Sequence, residues 1–312
     1  MKYFSKLKID KTKLFYLVIL AATFTIFLFL AFLNVEAKKE ISELNVLRSP
    51  LSSFTPGKYP EVLSKYDPGI TAQGAVAIDK NSQVVLYEKN SNLKFPPAST
   101  TKIMTALVAL ENYSPEDSLI IKQATVEGSI IGFKEGEVFS FIDLLYAMLL
   151  PSANDATLSI AQNYPGGEKA FVLRMNQKAV ELHLKNTYYA DPIGLDDEKD
   201  YITPLDLARL ASIALSNPTF ASVVSAKDKK IKSLNGKSYN LSNLNKLLDI
   251  PGVNGVKTGF TEGAGGVLVT SRKLDNGQDL IFVVMQSQDR FADSEILLSY
   301  LNDNLNYVSS HP

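Results

Sequence analysis

The chain has 312 residues, 46% of them hydrophobic, a formal net charge of −1, two His and no Cys. Without Cys there is no thiol nucleophile, disulfide or Cys-based zinc site, and two His cannot build a His-rich metal site. The balanced charge, with no basic stripe and interleaved aromatics, gives no argument for nucleic acid.

The first residues stand apart. Lys2, Lys6, Lys8, Lys11 and Lys13 precede an uncharged run of 20 residues, Leu14 to Leu33. A helix of that length crosses ~30 Å of hydrocarbon. Lysines before it and a long chain after it predict a cytoplasmic tail over 1–13, a single-pass signal anchor over 14–33 and an external remainder. Val35 and Ala37 would suit positions −3 and −1 of a cleavage site, but the run exceeds the ~7–15 residues of a signal-peptide core, which favours the uncleaved anchor. Residues 34–69, with Pro50, Pro56, Pro60 and Pro68, read as a stalk. The globular domain is expected over 70–308.

Gly74 to Glu88 reads as strand, turn and strand around Asp79-Lys80-Asn81-Ser82. After the Pro96-Pro97 break, Ile103, Met104, Leu107, Val108 and Leu110 recur at helical spacing. Further helices are expected over Phe141 to Leu150, up to Gly166-Gly167, over Glu168 to Leu184, and from Thr203-Pro204 to Leu215. His183 sits in the second-last of these, off any motif, and His311 is penultimate. Gly255 to Phe260, Gly266 to Arg272 and Leu280 to Gln286 are strand-like, the last two joined by the hairpin signal Asp275-Asn276-Gly277. Ser294 to Leu305 closes the chain as an amphipathic helix. Strands early and late with helices between predict a mixed α/β (α+β) domain: one antiparallel sheet flanked by helices, with a mainly helical subdomain.

Three short motifs carry chemistry. Ser99 and Lys102 lie three apart at the start of a helix, so both side chains share one face. The helix terminus and desolvation both lower a lysine pKa, so a neutral amine there could serve Ser99 as general base. Ser5–Lys8 and Ser91–Lys94 match the same spacing without opening an apolar helix. Ser152-Ala153-Asn154 follows Pro151, and Ser238-Tyr239-Asn240 matches its pattern. There the hydroxyl could relay a proton and the amide could both donate and accept, or Ser152 could simply cap a helix. Lys257-Thr258-Gly259 occurs once. On a strand, Lys257 and Thr258 could bind a carboxylate while Gly259 admits a ligand to the backbone; the alternative is an edge strand protected by a charge. The three in this order are far more specific than any one.

In these motifs the sequence resembles the low-molecular-mass penicillin-binding proteins, the serine D-alanyl-D-alanine carboxypeptidases of the S11 peptidase type and their endopeptidase relatives. The wording Pro97-Ala98-Ser99-Thr100-Thr101-Lys102, Leu150-Pro151-Ser152-Ala153-Asn154-Asp155-Ala156 and Gly255-Val256-Lys257-Thr258-Gly259-Phe260-Thr261 carries the resemblance. It implies a β-lactamase/D,D-peptidase-like fold and a cofactor-free hydrolase of the bacterial cell membrane, acting on the D-Ala-D-Ala end of peptidoglycan stem peptides and acylated by β-lactams. It implies Ser99 as nucleophile, Lys102 as base, Ser152 as proton relay and Asn154 as holder of the acyl side chain. Lys257 and Thr258, backed by Thr261, would take the terminal carboxylate, and the N–H groups of Ser99 and Phe260 the oxyanion.

Asp191-Pro192-Ile193-Gly194-Leu195 matches a family turn usually worded Asn-Pro-His-Gly-Leu; with Asp and Ile substituted, no catalytic role is assigned to it. No Arg lies in the loop Asn243 to Asn254, where Lys246 is the one base. The chain stops about 50 residues past Gly259, where relatives often carry a second β-rich domain, an arrangement that keeps D,D-endopeptidase cleavage open. A class A β-lactamase would also need a Glu-x-x-Leu-Asn pattern. The nearest match, Glu181-Leu182-His183-Leu184-Lys185, has Lys in place of Asn. An inactive peptidoglycan-binding scaffold would be signalled by loss of Ser99 or Lys102, and both are present.

Overall fold

Continuous apolar runs in the last third of the chain, whose successive side chains point to opposite faces, create a sheet that is buried on both faces. The computed structural model describes residues 20, 23–25, 58–123, 127–195 and 199–309. Strands β1 (Lys58–Val62), β2 (Gly74–Asp79) and β3 (Val85–Lys89) come first; β8 (Val253–Thr261), β9 (Gly265–Lys273) and β10 (Asp279–Ser287) come late. The five-stranded sheet has the order β3-β2-β10-β9-β8, antiparallel throughout. Along β10, Ile281, Val283 and Met285 join one core cluster, and Leu280, Phe282 and Val284 join another.

The first cluster is covered by helices α1 (Lys102–Asn112), α2 (Phe141–Leu149), α3 (Asn154–Asn163), α4 (Gly167–Glu181), α5 (Pro204–Ala214) and α6 (Pro218–Ser225). The second is covered by α7 (Arg290–Asn304) through Leu297, Leu298 and Leu301. Local chemistry sets the helix starts. Thr203 caps α5 by accepting from the Asp206 N–H, with Pro204 in the first turn; Asn217 caps α6 before Pro218. The expected mixed α/β architecture, one antiparallel sheet flanked by helices with a helical subdomain, is the observed one.

Several elements differ from the sequence reading. The expected stalk over 34–69 ends earlier: β1 pairs antiparallel with β11 (Leu305–Ser309), so residues from Lys58 belong to the folded unit. Pro60 disguises this strand, because proline is tolerated on a sheet edge that needs no donor. Two small hairpins, β4–β5 (Ser118–Ile120, Val138–Ser140) and β6–β7 (Asp228–Lys232, Ser238–Ser242), were not expected. Helix α7 starts at Arg290 rather than Ser294, capped by Asp289. Most of the predicted tail and anchor lies outside the described residues; Leu20 and Thr23 to Thr25 are helical and exposed. Among the described residues no single helix is long and apolar enough to cross a membrane.

Candidate active site

Ser99 lies in a 3₁₀ turn, Ala98–Thr101, that runs straight into α1. Ala98 before it has φ +47°, a left-handed conformation that a non-glycine residue adopts at an energetic cost and that clusters at functional sites. One turn later Lys102 is fully buried. Its Nζ is hydrogen-bonded to Ser99 Oγ at 3.0 Å and donates to the Ile193 carbonyl at 2.8 Å. Burial pushes the amine down to about 7, against an upward pull from the Asp191 carboxylate. Near neutral pH much of Lys102 is therefore an uncharged base in contact with a half-buried hydroxyl.

The second motif occupies the passage between α2 and α3. Ser152 has φ +63° and is not a helix cap, since the residue before α3 is Ala153. Its Oγ is buried and has no hydrogen-bond partner among the described residues. Asn154, also buried, donates through Nδ2 to the Glu127 carbonyl at 2.6 Å, and its backbone N–H donates to Ser129 at 2.7 Å. Its neighbour Asp155 accepts from the N–H groups of Ile131, Gly132 and Phe133 through Oδ2 at 3.1, 3.0 and 3.3 Å. The motif thereby fastens the segment carrying Glu127, Gly128 and Ser129.

The third motif is on β8, an edge strand of the sheet. Gly259 is required by close approach: a Cβ there would lie 3.1 Å from the Ala98 Cβ and 3.2 Å from the Ser99 N. Thr258 is buried, Phe260 is exposed, and Thr261 Oγ1 accepts from the Ala264 N–H at 3.0 Å in the turn to β9. Lys257 is no charged gatekeeper, because it is 1% exposed and its Nζ donates to the Thr258 carbonyl at 2.9 Å. Burial, then Lys102 and Arg290, hold its amine well below the usual lysine range. An incoming anion would reverse that penalty.

These pieces enclose one cleft of about 640 Å³. Ser99, Ser152, Asn154, Thr258, Gly259, Phe260 and Thr261 line it, whereas Lys102 and Lys257 lie behind its wall. Two further contributors were given no role in the sequence reading: one was not noticed and the other was noticed as a turn only. Arg290, from the first turn of α7, lines the cleft and donates through Nη1 to the Gly259 carbonyl at 3.0 Å. It supplies the guanidinium missing from the loop before the third motif, where Lys246 instead sits 5.4 Å above the Phe291 ring. The other is the turn at Asp191, whose Ile193 carbonyl binds the lysine and whose Gly194 and Leu195 line the cleft. Glu181, the residue considered for a β-lactamase, is spent on ion pairs with Arg174 and Lys178 at the end of α4.

A Ser hydroxyl on a neutral buried amine, with a second hydroxyl and a cationic corner nearby, can do acyl transfer. Comparison with known proteins agrees. The family model described as D-alanyl-D-alanine carboxypeptidase matches residues 61–289. The Bacillus subtilis D-alanyl-D-alanine carboxypeptidase DacF is 32% identical over 249 residues, 77% of this chain and 64% of that protein, so the chain spans less than two thirds of that relative. A Pseudomonas aeruginosa D-alanyl-D-alanine endopeptidase is 34% identical over 243 residues, 74% of this chain and 77% of that one. The crystal structure of the Streptomyces K15 DD-transpeptidase superposes with a TM-score of 0.72 at 31% identity, covering 76% of this chain and 98% of its own. With its site geometry and these matches, the chain belongs to the S11-type D-alanyl-D-alanine carboxypeptidase family of serine hydrolases, the low-molecular-mass penicillin-binding proteins.

Proposed function

We propose that this protein is a serine D,D-carboxypeptidase that removes the terminal D-Ala from peptidoglycan stem peptides. The contact between Ser99 Oγ and a buried Lys102 amine at the cleft carries the reading. Lys102 takes the Ser99 proton as Oγ bonds to the penultimate D-Ala carbonyl carbon, and the oxyanion is held by the N–H groups of Ser99 and Phe260. The C–N bond then breaks, the amine leaves with a proton relayed by Ser152, and water, deprotonated by Lys102, hydrolyses the ester. Asn154 orients the acyl chain. The terminal carboxylate meets Thr258 and Thr261, with the positive charge of Arg290 and, from behind the wall, of Lys257. No metal or cofactor is needed for these steps.

A time course of intact mass with benzylpenicillin tests this. A one-to-one adduct absent in Ser99→Ala is expected; hydrolysis of the drug without an adduct would instead support a β-lactamase, and neither event an inactive scaffold. A second reading, D,D-endopeptidase, has support in the Pseudomonas relative named as an endopeptidase, at 34% identity. Parallel digestion of a pentapeptide and a cross-linked muropeptide separates the two. The lysine-led apolar run 14–33 supports a single-pass anchor in the bacterial cell membrane with the catalytic domain outside. Recovery of the full chain in an alkali-washed membrane fraction is the expected result.

A further inference from the structure

The turn from Asp191 to Leu195 is organised by one carboxylate. Asp191 Oδ1 accepts from the backbone N–H groups of Ile193 at 2.6 Å and Gly194 at 2.7 Å. The turn is pressed onto the start of α1. Thr105 Oγ1 donates to the Pro192 carbonyl at 2.6 Å, and a Cβ at Gly194 would lie 2.0 Å from the Ala98 carbonyl oxygen. Between these two fixed points, the Ile193 carbonyl accepts from Lys102 Nζ at 2.8 Å. A continuous path therefore runs from the Asp191 carboxylate through one carbonyl and one amine to Ser99 Oγ. Asp191 itself does not line the cleft.

We propose that Asp191 is a positioning residue for acylation: its carboxylate fixes the turn that aims the Ile193 carbonyl at Lys102 and keeps a negative charge beside that carbonyl. The inference rests on the reading of Lys102 as the base. An Asn at this position could accept the same two hydrogen bonds but would bring no charge. Among the described residues, three other charged groups act on the pair. Lys257 faces Lys102 from β8, with Arg290 of α7 beyond it. Glu168, in the first turn of α4, faces Asp191, and burial followed by that charge raises its carboxyl. Against these, Asp191 is the carboxylate that opposes the effect of burial on Lys102.

Asp191→Asn and Asp191→Ala separate charge from geometry. The readout is the rate of adduct formation with benzylpenicillin between about pH 5.5 and 9, on the full chain. For Asp191→Asn the acid limb should move to lower pH by at least about half a unit, with a plateau within about twofold of wild type, because loss of a nearby negative charge favours the neutral amine. For Asp191→Ala the plateau itself should fall by roughly tenfold, since the carbonyl that holds the amine is released. Thermal melting confirms that each variant is folded. Coincident acid limbs for wild type and Asp191→Asn, or an undiminished plateau for Asp191→Ala, overturn the role of Asp191 and leave the serine peptidase intact. A wild-type protein that never forms the adduct overturns both.

Discussion

The proposed role of Lys102 as base draws on a place where a lysine is poorly tolerated. Full burial disfavours the ammonium by more than the Asp191 carboxylate restores, which leaves the amine titrating at about 7. Only the unprotonated form has a lone pair for the Ser99 proton. Acylation by penicillin should therefore rise with pH through 7 and level off above 8, standing about tenfold below its plateau at pH 6. A profile flat across this range would remove Lys102 from the role of base. Lys102→Ala should lower the acylation rate by ~10²–10⁴, the usual worth of a positioned base, with melting unchanged or improved because a buried amine is gone. These two residues were legible in the sequence because three positions on one helical turn are a local geometry. Arg290 was not: it reaches the Gly259 carbonyl across 31 residues, through a hairpin and a helix docking. Ile193 could not be read either, because it acts through a backbone carbonyl that no side-chain pattern marks.

At the scale of elements, each motif holds a neighbouring segment as well as presenting side chains. Asp155 is fully buried, and its carboxylate gathers the N–H groups of Ile131, Gly132 and Phe133. Replacing it with Ala leaves these donors, the Phe133 N–H buried among them, without their acceptor. Asp155→Ala should cost about 2–4 kcal/mol of stability in urea unfolding, and should also slow acylation as the Glu127–Ser129 wall of the cleft loosens. Unfolding at the wild-type urea midpoint would argue against that anchoring. Gly259 sets the distance between β8 and the serine turn, so Gly259→Ala should cut acylation by at least about tenfold, with the far-ultraviolet circular dichroism spectrum unchanged. The sequence made β8, β9 and β10 easy to recognise through their apolar runs and the Asp275-Asn276-Gly277 turn. It hid β1, whose proline suits an edge but reads as linker, and the charged strand β6, Asp-Lys-Lys-Ile-Lys, which shows almost no apolar alternation.

Across the whole folded unit, the sheet separates two cores, and the cleft belongs to the side with the helical layer. Phe282 lies in the other core, against α7. Phe282→Ala should destabilise by ~3–5 kcal/mol while the fraction that remains folded is acylated at the wild-type rate; a rate loss exceeding the loss of folded protein would show that the two cores are coupled at the site. The strand order has a further consequence, for the timing of folding. Strand β2 finds its partner in β10, with Gly74 opposite Met285 and Asp79 opposite Leu280. A chain made from its N-terminus must hold Ser99 and Lys102 for more than 150 residues before β8 arrives to complete the cleft beside them. Contacts so distant in sequence are slow to form. A nascent chain should thus react with penicillin only once β8 has been made, so the time at which its adduct first forms would report the arrival of that strand.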